Sequence, residues 1–129
     1  MPHKDKAKRN ELHRKYREKN PEKFKGYQKK YSQSAKGKES ARWSRMKYAT
    51  GLSKQDWTSM FEQQGGQCKI CCCKLDPIPS PAVHVDHCHS SGKIRGLLCH
   101  NCNHLLGTAK DSIVILRSAI SYLEQSTHD

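Results

Sequence analysis

The sequence from Cys68 to Gly107 reads CKICCCKLDPIPSPAVHVDHCHSSGKIRGLLCHNCNHLLG and is dense in cysteine, histidine and aspartate. Cys68 and Cys71 form one C-x2-C pair, and Cys99 and Cys102 form a second. Zinc in structural sites takes four ligands in a tetrahedron, and a two-residue spacer lets both sulfurs of a pair bind the same ion. We therefore predict a structural Zn²⁺ held by these four cysteines.

The triple cysteine at 71–73 leaves the register of the first pair open, because Cys68 and Cys72 also form a C-x3-C pair. We prefer Cys71, since it repeats the spacing of the second pair. Cys88 is interpreted as a small packing residue rather than a ligand. Four thiolates close a zinc site and leave no position for water, so any catalysis must come from residues between the two pairs.

Those intervening residues predict a hairpin, with strands over 82–87 and 94–98 and a turn at Ser90-Ser91-Gly92. Adjacent residues of a strand point to opposite faces, so Asp86 and His87 can converge only at a bulge or a strand end. Asp86 and Asn103 offer oxygen ligands suited to Mg²⁺. A neutral histidine beside them, His87, suits proton abstraction from water. Together these groups are typical of metal-assisted phosphodiester hydrolysis.

Other assignments remain open within this segment. A short helix is predicted from Cys99 to about Leu106, closed by Gly107. Asn101 is an alternative ligand, and Asn103 could instead cap this helix. His84 is interpreted as structural, and Arg95 could be a surface ion-pair partner. No role is given to His100 or His104.

The net charge of +12 lies entirely in the first 48 residues, which hold 17 Lys and Arg against 5 Asp and Glu. The remaining residues hold 7 of each, 24 minus 17 and 12 minus 5. Such an excess is the electrostatic footprint of a polyanion partner. We divide the chain into a basic DNA-binding arm at 1–37, with two helices broken near Asn20, and a nuclease domain at 38–129.

Helices also flank the central stretch. Ser53 is predicted to cap a helix over 54–64, and Asp111 or Ser112 to cap a helix over 113–125.

Hydrophobic content is only 34%, so a structural metal is expected to assist folding. No signal peptide and no apolar run of membrane-spanning length is evident in the sequence, so we expect an intracellular protein without a membrane partner.

The runs QGGQCKIC, HVDHCH and SGKIRGLLCHNCNHLLG together resemble the recombination endonuclease VII family of phage-type HNH nucleases. The resemblance covers roughly Tyr48 to Gly107. It implies an α+β fold in which a small ββα-metal (HNH) unit is stapled by a four-cysteine zinc site. Flanking helices and a basic helical arm at the N-terminus complete the expected architecture, in a protein encoded by a phage or prophage.

The resemblance also implies residue roles. Asp86 and Asn103 would hold a catalytic Mg²⁺ or Mn²⁺, and His87 would be the general base that activates water. His89 would lie near the scissile phosphate, and Arg95 would hold a phosphate or stabilise the transition state. The products would carry 5′-phosphate and 3′-hydroxyl ends.

One departure bears on specificity. The family's junction-resolving member has an acidic residue three positions after the asparagine, where this chain has Leu106. A general DNA endonuclease and a Holliday junction resolvase therefore both remain open, and the alternative outside the nucleases is a non-catalytic zinc module that binds DNA. We expect a homodimer, because cutting both strands of a duplex with one small site usually takes two copies.

Overall fold

The computed structural model describes residues 5–126, so the first four residues of the predicted arm and the last three of the predicted nuclease domain lie outside it. Within this range the chain forms helices and a two-stranded sheet, which confirms the predicted α+β class. The elements in order are α1 (Lys6–Lys19), α2 (Pro21–Gln33), α3 (Ala35–Thr50), α4 (Lys54–Gln63), β1 (Val83–His87), β2 (Ile94–Cys99), α5 (His100–Thr108) and α6 (Ile113–Ser126).

The chain divides into two compact units, one ending at Ala41 and the other beginning at Arg42. This boundary falls inside α3, four residues beyond the predicted end of the arm. The DNA-binding role given to residues 1–37 stays a prediction. No helix among residues 5–126 is long and apolar enough to cross a membrane.

The first unit consists of basic helices broken where the sequence predicts. The backbone and side-chain N–H groups of Asn20 both donate to the carbonyl of Tyr16, each at 3.0 Å, and end α1. Pro21 then begins α2, at a position where its missing N–H costs nothing. Neither α1 nor α2 buries a side chain, so their lysines and arginines face solvent.

The core of the second unit is built around Trp57, which is 1% exposed. Its ring stacks on Phe61 with centroids 5.4 Å apart and meets the edge of Trp43 at 5.2 Å. The helix that carries Trp57 and Phe61 begins as predicted, because the Ser53 hydroxyl accepts from the Asp56 N–H at 3.0 Å. Leu97 of β2 completes this core and is fully buried.

The hairpin is anchored to the end of α4 by one side chain. The Gln64 amide donates to the carbonyl of Leu97 at 2.9 Å and accepts from its N–H at 2.9 Å, as a neighbouring strand would. On its other side β2 pairs with β1 in antiparallel register. Helix α5 follows β2 directly and packs on both strands, which completes a compact ββα arrangement.

The end of α5 differs from expectation. Gly107 was expected to close this helix, but it lies inside it, and the turn is made by Lys110 and Asp111 with φ of 53° and 55°. Of the two proposed caps for α6, Ser112 takes the role, since its hydroxyl accepts from the Ile115 N–H at 3.2 Å. The side chain of Asp111 is therefore left for other contacts.

Candidate functional site

Five of the seven cysteines converge beside the core. The sulfurs of Cys68, Cys71, Cys73 and Cys99 all lie within 4.8 Å of one another. The Cys71 and Cys99 sulfurs are 3.7 Å apart. A tetrahedral zinc with Zn–S bonds of about 2.3 Å separates its sulfurs by about 3.8 Å, so this donor set fits Zn²⁺ in both chemistry and spacing.

The backbone of the first pair explains its register. The Cys72 N–H donates to the Cys68 carbonyl at 3.0 Å, and the Cys68 N–H donates to the Cys73 carbonyl at 2.8 Å. Cys72 has a φ of 62°, a left-handed conformation uncommon outside glycine. This turn brings Cys71 into the cluster of sulfurs and leaves Cys72 out of it, as the repeated C-x2-C spacing favoured.

The fourth ligand is less simple than the spacing suggested. Cys102 is buried and its thiol contacts those of Cys68, Cys71 and Cys99, but Cys73 completes the tighter group. Because zinc binds four thiolates, Cys73 and Cys102 compete for one position. The sequence pattern did not indicate Cys73, since it belongs to neither C-x2-C pair.

The thiols of the cluster differ in how readily they ionise. Burial of Cys68 opposes its thiolate, but backbone N–H groups at Cys99 and Cys71 outweigh burial and lower its pKa to about 6. Cys73, by contrast, shares a hydrogen bond with the Cys71 sulfur that raises its pKa to about 12. A thiolate held ready by backbone donors is the form that binds zinc.

The second centre lies at the end of the hairpin, where the two strands shift register. Asp86 pairs with Gly96 and His87 with Ile94, so Arg95 is the extra residue of a β-bulge. The sequence required a bulge or a strand end if Asp86 and His87 were to serve one site, and both are present: His87 is the last residue of β1, and β2 carries the bulge. The bulge also turns the Arg95 side chain toward Asp86.

Asp86 is 7% exposed, and both of its oxygens are occupied by this arginine. The Arg95 Nε donates to Oδ2 at 2.6 Å and Nη2 donates to Oδ1 at 2.9 Å. A two-bond pairing of this kind is among the strongest a carboxylate makes. Arg95 is thus an ion-pair partner, which was one of the two roles considered for it. Its partner is Asp86, the candidate metal ligand.

Asp111 extends the network, although the sequence suggested only a helix cap for it. Its Oδ1 accepts from Arg95 Nη2 at 3.2 Å, and its Oδ2 lies 2.8 Å from His89 Nδ1. The hydrogen bonds from His89 and from Arg95 lower the pKa of Asp111 below its usual range. The ring of His89 lies 5.0 Å from that of His87, between centroids. A continuous chain of contacts thus joins Asp86 to His87.

The remaining candidates lie on or beside α5. Asn103 is half-buried on this helix, and its side-chain amide has no hydrogen-bond partner among residues 5–126. Asn101 is exposed. His84 lies apart from the network, with its Nε2 at 3.3 Å from Nδ1 of His100, whose ring stacks on that of His104.

Comparison with known proteins places this chain. A sequence model of the family "Recombination endonuclease VII" matches residues 41–125, which include both cysteine pairs and the hairpin. The Gene 59 protein of Mycobacterium phage D29 is 40% identical over 76 residues, which make up 58% of this chain and 45% of that protein. The Gene 59 protein of Mycobacterium phage L5 is 39% identical over 74 residues, 57% of this chain and 44% of that protein.

The chain therefore spans less than half the length of these two curated relatives. No solved structure matches it. The family match covers well over half of the 129 residues. The chain belongs to the recombination endonuclease VII family.

Proposed function

We propose that this chain is a metal-dependent HNH endonuclease that hydrolyses phosphodiester bonds of DNA. The observation that carries the proposal is the network at the hairpin bulge, in which Asp86, Arg95 and His89 are linked through Asp111 and end beside His87. Membership of the recombination endonuclease VII family supports the same reaction class.

Asp86 and Asn103 are the proposed protein ligands of the catalytic cation. Both offer oxygen atoms, and Mg²⁺ or Mn²⁺ prefers one or two such ligands completed by water. The Asn103 amide has no competing partner among the described residues. When bound, the cation would supply positive charge that stabilises the phosphate in the transition state.

His87 is the proposed general base. It is exposed at the strand end, where water can reach its ring. Its ring takes a proton from a water whose oxygen attacks phosphorus, and the bond from phosphorus to the 3′ oxygen breaks. The 3′ oxygen then gains a proton from solvent, which leaves 5′-phosphate and 3′-hydroxyl ends. Arg95 holds a non-bridging phosphate oxygen during this step, and His89 lies near the phosphate, where it can assist the metal site.

The first 37 residues are proposed to supply most of the affinity for DNA. Their side chains on α1 and α2 are exposed, and they carry most of the chain's excess positive charge. Contacts of lysine and arginine with phosphates position a protein without reading sequence. The zinc region, which is nearly neutral, would then contribute little to the electrostatic attraction and would contact DNA that the arm has already bound.

A homodimer is the proposed active form. Helix α6 buries no side chain within the described chain, and its apolar stripe is largely exposed: Ile113 at 64%, Ile120 at 55% and Leu123 at 62%. A second copy that covers this stripe would place two active sites in one particle. Two sites are the usual requirement for cutting both strands of a duplex.

Cleavage of supercoiled plasmid in Mg²⁺ tests the proposal. Zinc-loaded wild type is compared with His87→Ala and with His104→Ala, a matched loss of an exposed histidine outside the network. We expect wild type and His104→Ala to nick or linearise the plasmid, and His87→Ala to lose at least about 100-fold in rate while still binding DNA. Binding without cleavage by wild type, on plasmid and on a four-way junction alike, would favour the non-catalytic zinc module instead.

A further inference from the structure

Asp111 has an unusual backbone for a residue that only connects two helices. It and Lys110 both adopt left-handed conformations, with φ of 55° and 53°, and neither is glycine. The Asp111 N–H donates to the Leu106 carbonyl at 3.0 Å and fixes this turn against α5. Residues held in such sparsely populated conformations concentrate at functional sites, where the surrounding structure maintains them.

The two oxygens of Asp111 serve two different candidate groups. Oδ2 pairs with Nδ1 of His89 at 2.8 Å, and Oδ1 accepts from Nη2 of Arg95 at 3.2 Å. An ionised carboxylate can only accept, so the hydrogen of a neutral His89 ring lies on Nδ1. The other ring nitrogen, Nε2, then keeps its lone pair for a cation or for the proton of a water.

Arg95 is shared between two carboxylates. Its Nε and Nη2 donate to Asp86, and Nη2 also reaches Asp111. Because both oxygens of Asp86 are covered, a cation can bind there only if the guanidinium moves. Asp111 is a second anion within reach, which can retain Arg95 at the site once Asp86 is released to the cation.

We infer that Asp111 is a positioning residue of the proposed active site: it fixes the tautomer of His89 and retains Arg95 when a divalent cation takes Asp86. This inference rests on the proposed function, but it concerns a residue to which no role was assigned beyond a helix cap. It also supplies an acidic group to a site in which position 106, three residues after Asn103, is leucine.

The test compares wild type with Asp111→Asn in the full-length, zinc-loaded protein. Asparagine is suitable because it tolerates the left-handed conformation, so the turn is retained while the charge is lost. Asp76→Asn serves as the matched control, since Asp76 is an exposed aspartate whose side chain accepts a hydrogen bond from Ser80 in its own loop. Thermal unfolding of all three proteins checks that the fold is intact.

Two readouts do not depend on activity. Long-range ¹H–¹⁵N NMR of the imidazole rings is expected to give an Nδ1–H tautomer for His89 in wild type and a shift toward Nε2–H in Asp111→Asn. Binding of Mn²⁺, followed by the EPR signal of the free ion, is expected to weaken about 10-fold in Asp111→Asn, because Arg95 then stays on Asp86. Asp76→Asn should match wild type in both measurements.

Cleavage completes the test. We expect kcat to fall about 10- to 100-fold in Asp111→Asn while KM for DNA changes less than about threefold, since a positioning residue acts on the reacting groups. An unchanged His89 tautomer together with unchanged Mn²⁺ affinity would overturn the role of Asp111. If wild type itself cut no DNA, the proposed nuclease function would fail, and the tautomer and Mn²⁺ results would still decide the role of Asp111.

Discussion

Arg95 places its guanidinium across both carboxylate oxygens of Asp86, at 2.6 and 2.9 Å, in the position that a cation would need. The Asp86 side chain is 9% exposed, so leaving its charge without a partner would be costly. In the structure that partner is the arginine. On the proposed function, a divalent cation and Arg95 would therefore compete for the same carboxylate.

Removing the arginine should make the fold depend on the cation. In Arg95→Ala the Asp86 charge is left without its partner, and we expect a loss of about 1–3 kcal/mol in unfolding free energy without added divalent ions. The expected loss of unfolding free energy is smaller than for a fully buried ion pair, because the Arg95 side chain is 36% exposed. Mg²⁺ or Mn²⁺ should then raise the melting temperature of Arg95→Ala by more than that of wild type.

Urea or thermal unfolding of zinc-loaded protein with and without Mn²⁺ measures this. Arg95→Lys is the control, since it keeps the charge but cannot make the two-bond pairing. Equal stabilisation of wild type and Arg95→Ala by Mn²⁺ would contradict competition at Asp86.

The zinc cluster gives a prediction about individual cysteines. Cys71→Ser should bind zinc far more weakly and unfold at lower temperature, because the second unit has a small core that includes the buried Cys68 and Cys102. Cys72→Ser should retain both zinc and stability, since Cys72 lies outside the cluster. Zinc content after dialysis and the thermal midpoint of each variant measure the difference, and equal zinc loss in the two variants would contradict the assignment.

The fourth ligand can be identified with Co²⁺, whose absorption reports the number of bound thiolates. We expect thiolate-to-metal absorption per bound Co²⁺ to fall in Cys102→Ser, which loses one of four thiolates, and to stay unchanged in Cys73→Ser. The reason is that Cys102 is buried in the second C-x2-C pair, where its own N–H donates to the Cys99 sulfur at 3.4 Å. The reverse result would make Cys73 the ligand.

Much of this architecture follows from local sequence. The break at Asn20-Pro21 and the Ser53 cap depend on neighbouring residues and were predictable. So was an irregularity at Asp86 and His87, either a bulge or a strand end, because strand alternation otherwise sends the two side chains to opposite faces.

Contacts between distant segments were not predictable in this way. Arg95 meets Asp86 only because the bulge turns its side chain, and Asp111 reaches His89 across 22 positions of sequence. One sequence signal could have directed attention to Asp111. It directly precedes Ser112, which alone suffices to cap the first turn of α6, so the Asp111 side chain is not needed as a cap. The place of Cys73 in the cluster was not predictable either, because it depends on the left-handed turn at Cys72, which returns the chain toward the sulfurs.

The exposed stripe of α6 predicts concentration-dependent association. Ile120→Asp introduces a charge into this stripe, and we expect it to shift the protein from dimer to monomer in sedimentation velocity at micromolar concentration. Ser118→Asp is the control, because helical periodicity places Ser118 on the opposite side of α6. Since Ile120 is 55% exposed, its replacement should leave the melting temperature of the monomer nearly unchanged. A wild-type protein that sediments only as a monomer, with and without DNA, would rule out the proposed dimer.

The basic arm predicts a specific dependence on salt. Residues 1–35 contain 12 Lys and Arg and 4 Asp and Glu, a net charge of +8. Deleting them should weaken duplex binding by at least about 10-fold near physiological salt, and it should flatten the slope of log K against log salt by several units, because fewer counterions are released. Fluorescence anisotropy at a series of salt concentrations measures both. Lys29→Gln combined with Lys30→Gln should reduce the slope by a smaller amount, and a deletion that leaves the slope unchanged would assign the phosphate contacts to the zinc domain instead.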